Sequence, residues 1–367
     1  MLTKIQMTDL KAQYETIKSE IDAAIQSVIN ESSFILGKQI SLLEEEIAGY
    51  IGVKHAIGVA SGTDALVLSL AVLGITKGDE VITTPFTFIA TAEAISRVGA
   101  RPVFCDIEYD SYNIDPKKIE KCITKNTKAI IPVHLYGAPC AMDEITAIAK
   151  EHKLRIIEDC AQSFGSEYKG KKVGSFGDCG ILSFFPAKTL GCYGDGGMVV
   201  TGDQENAAKI KMLRNHGSST KYFYTAHGFN SRLDTLQAAI LRVKLKYVDK
   251  WIEQRIKNAK LYNELVSGTK DIVTPAIEEE IKHTFNYYTI RIKKNRQKVL
   301  EALKQNDIPS AIYYPLCLHL QEVYKELGYK VGDFPVAETA QEEVLSLPMY
   351  PELRQEQIQQ ITQALKL

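Results

Sequence analysis

The chain has 367 residues, 45% hydrophobic and 24% charged, which allows a substantial core and lies outside the compositions of disordered or fibrous chains. Lys and Arg number 44 against 45 Asp and Glu, a formal charge of -1, so no global basic field is present to capture nucleic acid or an anionic membrane. A phosphate-bearing ligand must be held by a local site.

The opening MLTKIQMTDLKAQYE carries no continuous apolar stretch after its first basic residue, so neither a signal nor a transit peptide is expected. No run of about 18 apolar residues follows anywhere, and a cytoplasmic protein without a membrane span is expected. Leu10, Tyr14, Ile17, Ile21, Ile25 and Val28 recur at intervals of three and four, marking one apolar face of an opening helix. From Ala56, short apolar strand candidates (AIGVA, DEVITT, RPVFCDI, KAIIPVHLY, LRIIEDC, CGILSFF) alternate with amphipathic segments such as Thr63 to Leu73 and Ala90 to Arg97. That alternation predicts an α/β layered domain with a largely parallel sheet. A helical pattern then runs from Leu233 through Leu236, Ile240, Val243 and Tyr247 towards Trp251. Beyond Asp249 the texture is α+β, with a strand candidate at YYTIRI, a helix at RQKVLEALKQN, then AIYYP and a terminal helix. Two domains are expected, 1–249 and 250–367, with the boundary within roughly ten residues of Lys250. The seven cysteines are scattered without a C-x-x-C pair, as reduced, mostly buried residues would be. No His or carboxylate cluster has metal-ligand spacing, so no metal is expected.

The residues that carry chemistry sit at strand ends. LRIIEDC ends in Asp159, three residues before Gln162; a carboxylate beyond the carboxyl end of a strand can pair with a protonated pyridine nitrogen, or simply cap the next turn. Ser183-Phe-Phe-Pro-Ala-Lys188 precedes the glycine-rich LGCYGDGG. A lysine there, unlike a solvated surface lysine, would be desolvated and nucleophilic. SGTDAL places Gly62 and Thr63 at a helix start straight after a strand, where free N–H groups and the helix dipole seat a phosphate. Phe88, in PFTFIATAEA, stands where an aromatic could stack on a flat ring, or be ordinary core.

In order along the chain, SGTDAL, PFTFIATAEAI, IIEDCAQSFG, SFFPAKTLGCYGDGG, HGFNSRLDTLQAAIL, AIYYPLCLH and LSLPMYP resemble the DegT/DnrJ/EryC1/StrS sugar aminotransferases, which share the aspartate aminotransferase (type I) fold. The resemblance covers essentially the whole chain. It implies pyridoxal 5′-phosphate as cofactor, alternating with pyridoxamine 5′-phosphate, held by Lys188 as the proton-shuttling amine. It further implies Asp159 on the pyridine nitrogen, Gln162 at the ring hydroxyl, Ser183 with Gly62 and Thr63 at the phosphate, and Phe88 against the ring. Asn230 matches an asparagine that reaches the phosphate of the neighbouring subunit, which implies a homodimer with shared active sites. The related 3-dehydratases carry histidine where Lys188 stands, so transamination is favoured over dehydration.

By the same resemblance the donor is L-glutamate and the acceptor a nucleotide-linked keto-sugar, nearest to C3 of a UDP-2-acetamido-3-keto-hexuronate destined for surface polysaccharide such as lipopolysaccharide. Arg232 would meet the sugar carboxylate or serve as a structural ion-pair partner. Tyr314 and His319, in YYPLCLH, match a stretch bordering the substrate entrance, although an isolated histidine in an apolar segment is more often packed and hydrogen-bonded. Glu158, beside Asp159, reads as structural. Alternatives are C3 or C4 amination of a dTDP-, GDP- or other UDP-linked sugar, or a non-catalytic regulatory protein of the same fold. A nicotinamide dehydrogenase is disfavoured because no G-x-G-x-x-G follows the first strand.

Overall fold

The computed structural model describes residues 5–220, 222–277 and 279–366. The opening repeat forms α1 (Leu10–Glu31), which starts where the Asp9 side chain accepts the Ala12 N–H at 2.9 Å. Its Ile17 and Ile21 pack on Ile240, Val243 and Trp251. After α2 (Lys38–Ile51), stopped by left-handed Gly52, strands and helices alternate as expected. They are β1 (His55–Val59), α3 (Gly62–Val72), β2 (Glu80–Thr83), α4 (Ala90–Arg97), β3 (Arg101–Phe104), the single turn α5 (Pro116–Ile119), β4 (Thr127–Ile130), α6 (Met142–His152) and β5 (Arg155–Asp159). The hairpin of β6 (Glu167–Tyr168) and β7 (Lys171–Lys172) then precedes β8 (Cys179–Ser183) and β9 (Gly197–Thr201).

Seven strands make one sheet in the order β1-β9-β8-β5-β4-β2-β3. β9 alone runs against its neighbours, and the other contacts are parallel. The mostly parallel sheet expected from the apolar runs is therefore present. β9 was not among the expected strands. Its GMVVT residues are all buried, and it lies between β1 and β8, so it returns along the sheet without a crossover helix.

After β9 come α7 (Gln204–Leu213), the hairpin β10 (Ser218–Thr220) and β11 (Phe223–Tyr224), α8 (Thr235–Leu245) and α9 (Val248–Val266). The helical pattern from Leu233 to Trp251 is thus two helices. Lys250 falls inside α9, whose Val248 and Ile252 pack with Leu182, Met198 and Val200 of the large sheet. Its later Ala259, Tyr262 and Val266 join a second core with Tyr288, Ile290 and Leu345. One helix thereby serves both cores. The rest comprises β12 (Ile272–Val273), β13 (Ile281–Lys282), β14 (Tyr288–Ile292), α10 (Arg296–Gln305), α11 (Pro335–Glu343), β15 (Val344–Leu347) and α12 (Gln355–Ala364). β12, β14 and β15 form an antiparallel sheet.

Several segments cross between the halves, among them Leu318, whose N–H donates to Pro85 O at 2.8 Å. β13 pairs with β6 of the hairpin. Ile5 packs into the second core, and Met7 O accepts the Met349 N–H at 3.3 Å.

Candidate active site

Strand order brings the carboxyl ends of β1, β5 and β8, and the amino end of β9, to one edge, where open α/β sheets bind ligands. Against that edge lies a cavity of about 490 Å³. Eight of the expected site residues line it: Gly62, Thr63, Phe88, Asp159, Gln162, Ser183, Lys188 and Tyr314.

Asp159, 4% exposed, accepts the Thr91 hydroxyl on Oδ2 at 2.8 Å and the Ala161 N–H on Oδ1 at 3.1 Å. It therefore both caps its turn and faces the cavity. Burial raises its pKa, opposed by those two donors and by the charges of Lys188 and His134. Lys188 closes a turn that opens at Phe185, its own N–H donating to Phe185 O at 2.9 Å. Among the described residues its Nζ makes no hydrogen bond, and desolvation pulls its pKa down to about 8 against the attraction of Asp159. In the protein alone, each of these groups is pushed towards its neutral form. A cationic ring nitrogen would give Asp159 a counter-charge, and an aldehyde would give Lys188 a covalent partner.

The start of α3 completes the seat. Ser61 Oγ accepts the Asp64 N–H at 3.1 Å, while the N–H groups of Gly62 and Thr63 have no acceptor among the described residues, as the first turn of a helix leaves them. A Cβ on Gly62 would stand 2.8 Å from Ser183 Cβ, and one on Gly197 would stand 2.3 Å from the Ser61 carbonyl. β8 and β9 therefore press directly on the helix opening, leaving a backbone cradle beside the Ser183 hydroxyl. Donors, dipole and hydroxyl suit a phosphate. The residues present fit pyridoxal phosphate.

Gln162 is fixed from both ends: Oε1 accepts the Tyr136 N–H at 2.9 Å, and Nε2 donates to the Tyr314 hydroxyl at 2.9 Å. Phe88 is 56% exposed, its ring 6.3 Å from that of Tyr314. The Tyr136 hydroxyl donates to Tyr313 O, so the tyrosine wall joins the two halves of the chain.

The sequence reading missed Thr91, Asp195, Tyr287 and Tyr313, all of which line the cavity. Thr91 could have been found, since it stands one helical turn beyond Phe88. The tyrosines could not, because they arrive from beyond α9. Glu158 is structural: it accepts the N–H groups of Gly174, Phe176 and Gly177 and sits 3.2 Å from His134 Nε2. His134 Nδ1 accepts the Cys140 N–H at 2.9 Å. His134, Glu158 and Cys160 lie close enough to share a metal, yet both ring nitrogens and the carboxylate already serve protein partners.

The model of the DegT/DnrJ/EryC1/StrS aminotransferase family matches residues 15–366. The chain belongs to this family. A "pleiotropic regulatory protein" of Geobacillus stearothermophilus is 49% identical, over 98% of this chain and 97% of its own. The UDP-N-acetyl-3-dehydro-α-D-glucosamine 3-aminotransferase of Acidithiobacillus ferrooxidans is 48% identical, over 99% and 98%. The UDP-2-acetamido-2-deoxy-3-oxo-D-glucuronate aminotransferase of Pseudomonas aeruginosa is 44% identical, over 98% and 99%. The crystal structure of S. venezuelae DesV in complex with a ketimine intermediate superposes with a TM-score of 0.97 at 40% identity, covering 99% of this chain and 98% of that one. The fold is the type I aminotransferase fold, and the family member described here is a pyridoxal-phosphate-dependent sugar aminotransferase.

In this family member three expected residues stand away from the cavity lining. Asn230 is exposed and bridges Asn215 as an isolated β-contact. Arg232 donates from Nη1 to Asn215 Oδ1 at 2.7 Å, and no carboxylate pairs with it among the described residues. His319, 2% exposed, has Nε2 3.2 Å from Glu338 Oε1 and its ring 4.7 Å from that of Phe334. Burial lowers its pKa, and it ties the 332–338 segment together rather than facing the cavity.

Proposed function

We propose that this aminotransferase moves the amino group of L-glutamate onto C3 of a UDP-linked 2-acetamido-3-keto-hexuronate, in the biosynthesis of a surface polysaccharide. The observation that carries the reading is the desolvated Lys188 amine, without a hydrogen bond among the described residues, which lines one cavity with the buried Asp159 carboxylate and with the start of α3, whose first N–H groups have no acceptor among those residues. The C3 position and the UDP handle are supported by the named reactions of the two UDP-sugar relatives.

Bound pyridoxal phosphate supplies an electron sink that stabilises negative charge on the carbon next to the transferred nitrogen. Lys188 would hold it, and its Nζ, pushed towards the neutral form by burial, would take the α-proton of glutamate and return a proton to the sugar carbon. Asp159 would keep the ring nitrogen cationic, while Gly62, Thr63 and Ser183 would hold the phosphate. Phe88 would lie on the ring face, and Gln162, pinned by Tyr136 and Tyr314, would stand at the ring hydroxyl. Tyr287, Tyr313 and Tyr314 wall the cavity and would exclude water from the exchange of amine and carbonyl.

The homodimer belongs to this proposal. Phe223 and Tyr224 on β11 are 70% and 63% exposed, an aromatic patch of the kind that a second copy covers. Asn230, exposed in the segment that follows β11, would then reach the neighbouring phosphate.

A second reading, a UDP-3-keto-hexosamine without the carboxylate, is favoured by the engagement of Arg232 with Asn215. One experiment tests both. The purified protein should be yellow, should lose that colour on addition of glutamate, and should regain it on addition of the accepted sugar. A panel of UDP-, dTDP- and GDP-linked 3- and 4-keto-sugars identifies that sugar. Turnover of a 4-keto or dTDP sugar in preference to both UDP-3-keto sugars would refute the proposal, and Arg232→Ala should impair only the hexuronate.

A further inference from the structure

Residues 184–192 leave β8 and fold back as a closed turn. Cys192 N–H donates to Phe184 O at 2.8 Å and Lys188 N–H to Phe185 O at 2.9 Å. Gly191 presses so closely on the start of the turn that a Cβ there would stand 2.3 Å from Pro186 O. Its carbonyl accepts a hydrogen bond from Lys244 Nζ at 2.5 Å. Seven residues earlier, on the same face of α8, Gln237 accepts the Tyr193 N–H at 2.8 Å and donates to Tyr193 O at 3.2 Å. α8 thus grips the end of the turn and the residue just past it by three backbone groups, the Gly191 carbonyl and the N–H and carbonyl of Tyr193.

Lys244 is fully buried. No carboxylate lies within ion-pair distance among the described residues. The titratable groups facing it are Cys192 and Tyr193 from the turn, the latter with its ring centroid 4.6 Å away, and Glu352 from the segment after β15, which also faces Arg255 of α9. Desolvation pulls the Lys244 pKa down to about 8. A carbonyl can be satisfied by a neutral donor, whereas an unpaired ammonium in a dry site costs stability. Fold stability alone therefore does not explain a charge here. A charged donor does hold its acceptor roughly twice as strongly as a neutral one.

We infer that Lys244 is a positioning residue for Lys188: it pins the Gly191 carbonyl and so fixes the turn that presents the Lys188 amine to Asp159. The inference rests on Lys188 being the amine that holds the cofactor.

Lys244→Met preserves bulk and removes the donor, and Lys244→Gln restores a neutral donor. Each is compared with the unaltered holoenzyme for kcat, KM for glutamate, melting temperature and the midpoint of the pH titration of the visible band. The rate at which the cofactor-free protein captures added pyridoxal phosphate is measured as well. Lys244→Met should lower kcat by about tenfold or more with KM changed less than about threefold. It should slow capture and move the absorbance midpoint by at least about half a pH unit, with the melting temperature within about 5 °C. Lys244→Gln should recover part of kcat. A folded Lys244→Met variant with unaltered kcat, capture rate and midpoint overturns the inference. Should it not fold, Gln237→Leu, which loosens the same turn, must shift capture and midpoint in the same directions, and its failure to do so overturns the inference equally. A wild-type protein with no visible band after incubation with pyridoxal phosphate would instead refute the assignment of Lys188, and this inference with it.

Discussion

The Thr91 hydroxyl lies 2.8 Å from Asp159 Oδ2, joining the first turn of α4 to the end of β5. It is a side-chain donor on a carboxylate that burial drives towards protonation. Thr91→Val removes the donor at nearly constant volume. Hydrogen bonds to charged groups contribute about 1.5–3 kcal/mol, so activity should fall by roughly 10- to 100-fold, while Thr91→Ser should retain most of it. Steady-state kinetics with a pH profile check this, and the acidic limb should move upward in Thr91→Val, because losing the donor raises the Asp159 pKa.

Lys188 titrates near 8 when the cofactor is absent. Its neutral form is the nucleophile. The rate at which the cofactor-free protein captures pyridoxal phosphate should therefore rise with pH and level off above about 8, where an ordinary lysine would keep gaining up to about 10.4. Stopped-flow absorbance measures the profile, and Lys188→Ala should show no capture and no turnover.

Gly62→Ala would place a methyl 2.8 Å from Ser183 Cβ. Either the opening of α3 or the end of β8 must shift, and the phosphate seat with it. The dissociation constant for pyridoxal phosphate should rise by about tenfold, a loss of about 1.4 kcal/mol, with a smaller change in melting temperature. Equilibrium dialysis decides it.

His283 is buried, accepts the Phe285 N–H on Nδ1 at 2.9 Å and stacks on the Phe285 ring at 3.8 Å; burial lowers its pKa to about 3. Below pH 6.5 the unfolded chain takes up a proton that the folded chain refuses, so stability falls as pH drops from about 6.5 towards 3. Across that window the loss is a few kcal/mol. His283→Asn, which cannot take up that proton, should show a weaker decline in denaturation midpoint between pH 7 and 4.

The strand ends were the most legible part of the molecule. Asp159, Ser183 and the Gly62–Thr63 opening each follow an apolar run, and a parallel sheet must bring such ends to one edge. β9 was harder to see, because GMVVT after a glycine turn gives no sign of direction. Tyr287 and Tyr313 lay beyond local patterns, for their approach depends on how the second core docks against the first. Asn230 and Arg232, two residues apart, both meet Asn215 and stand outside the cavity lining, a placement that depends on how the segment after α7 folds back and that no local pattern carries. His319 shows why one histidine in an apolar segment is weak grounds for a role in binding: its ring is sequestered with Glu338 and Phe334.

Ile5 and Met7 complete a layer otherwise built from residues from Ile256 onward. Since synthesis runs from the amino end, these early residues remain uncovered until the last helices leave the ribosome. A gene split between α8 and α9 would yield two fragments, neither with a finished interior, and activity would depend on their meeting.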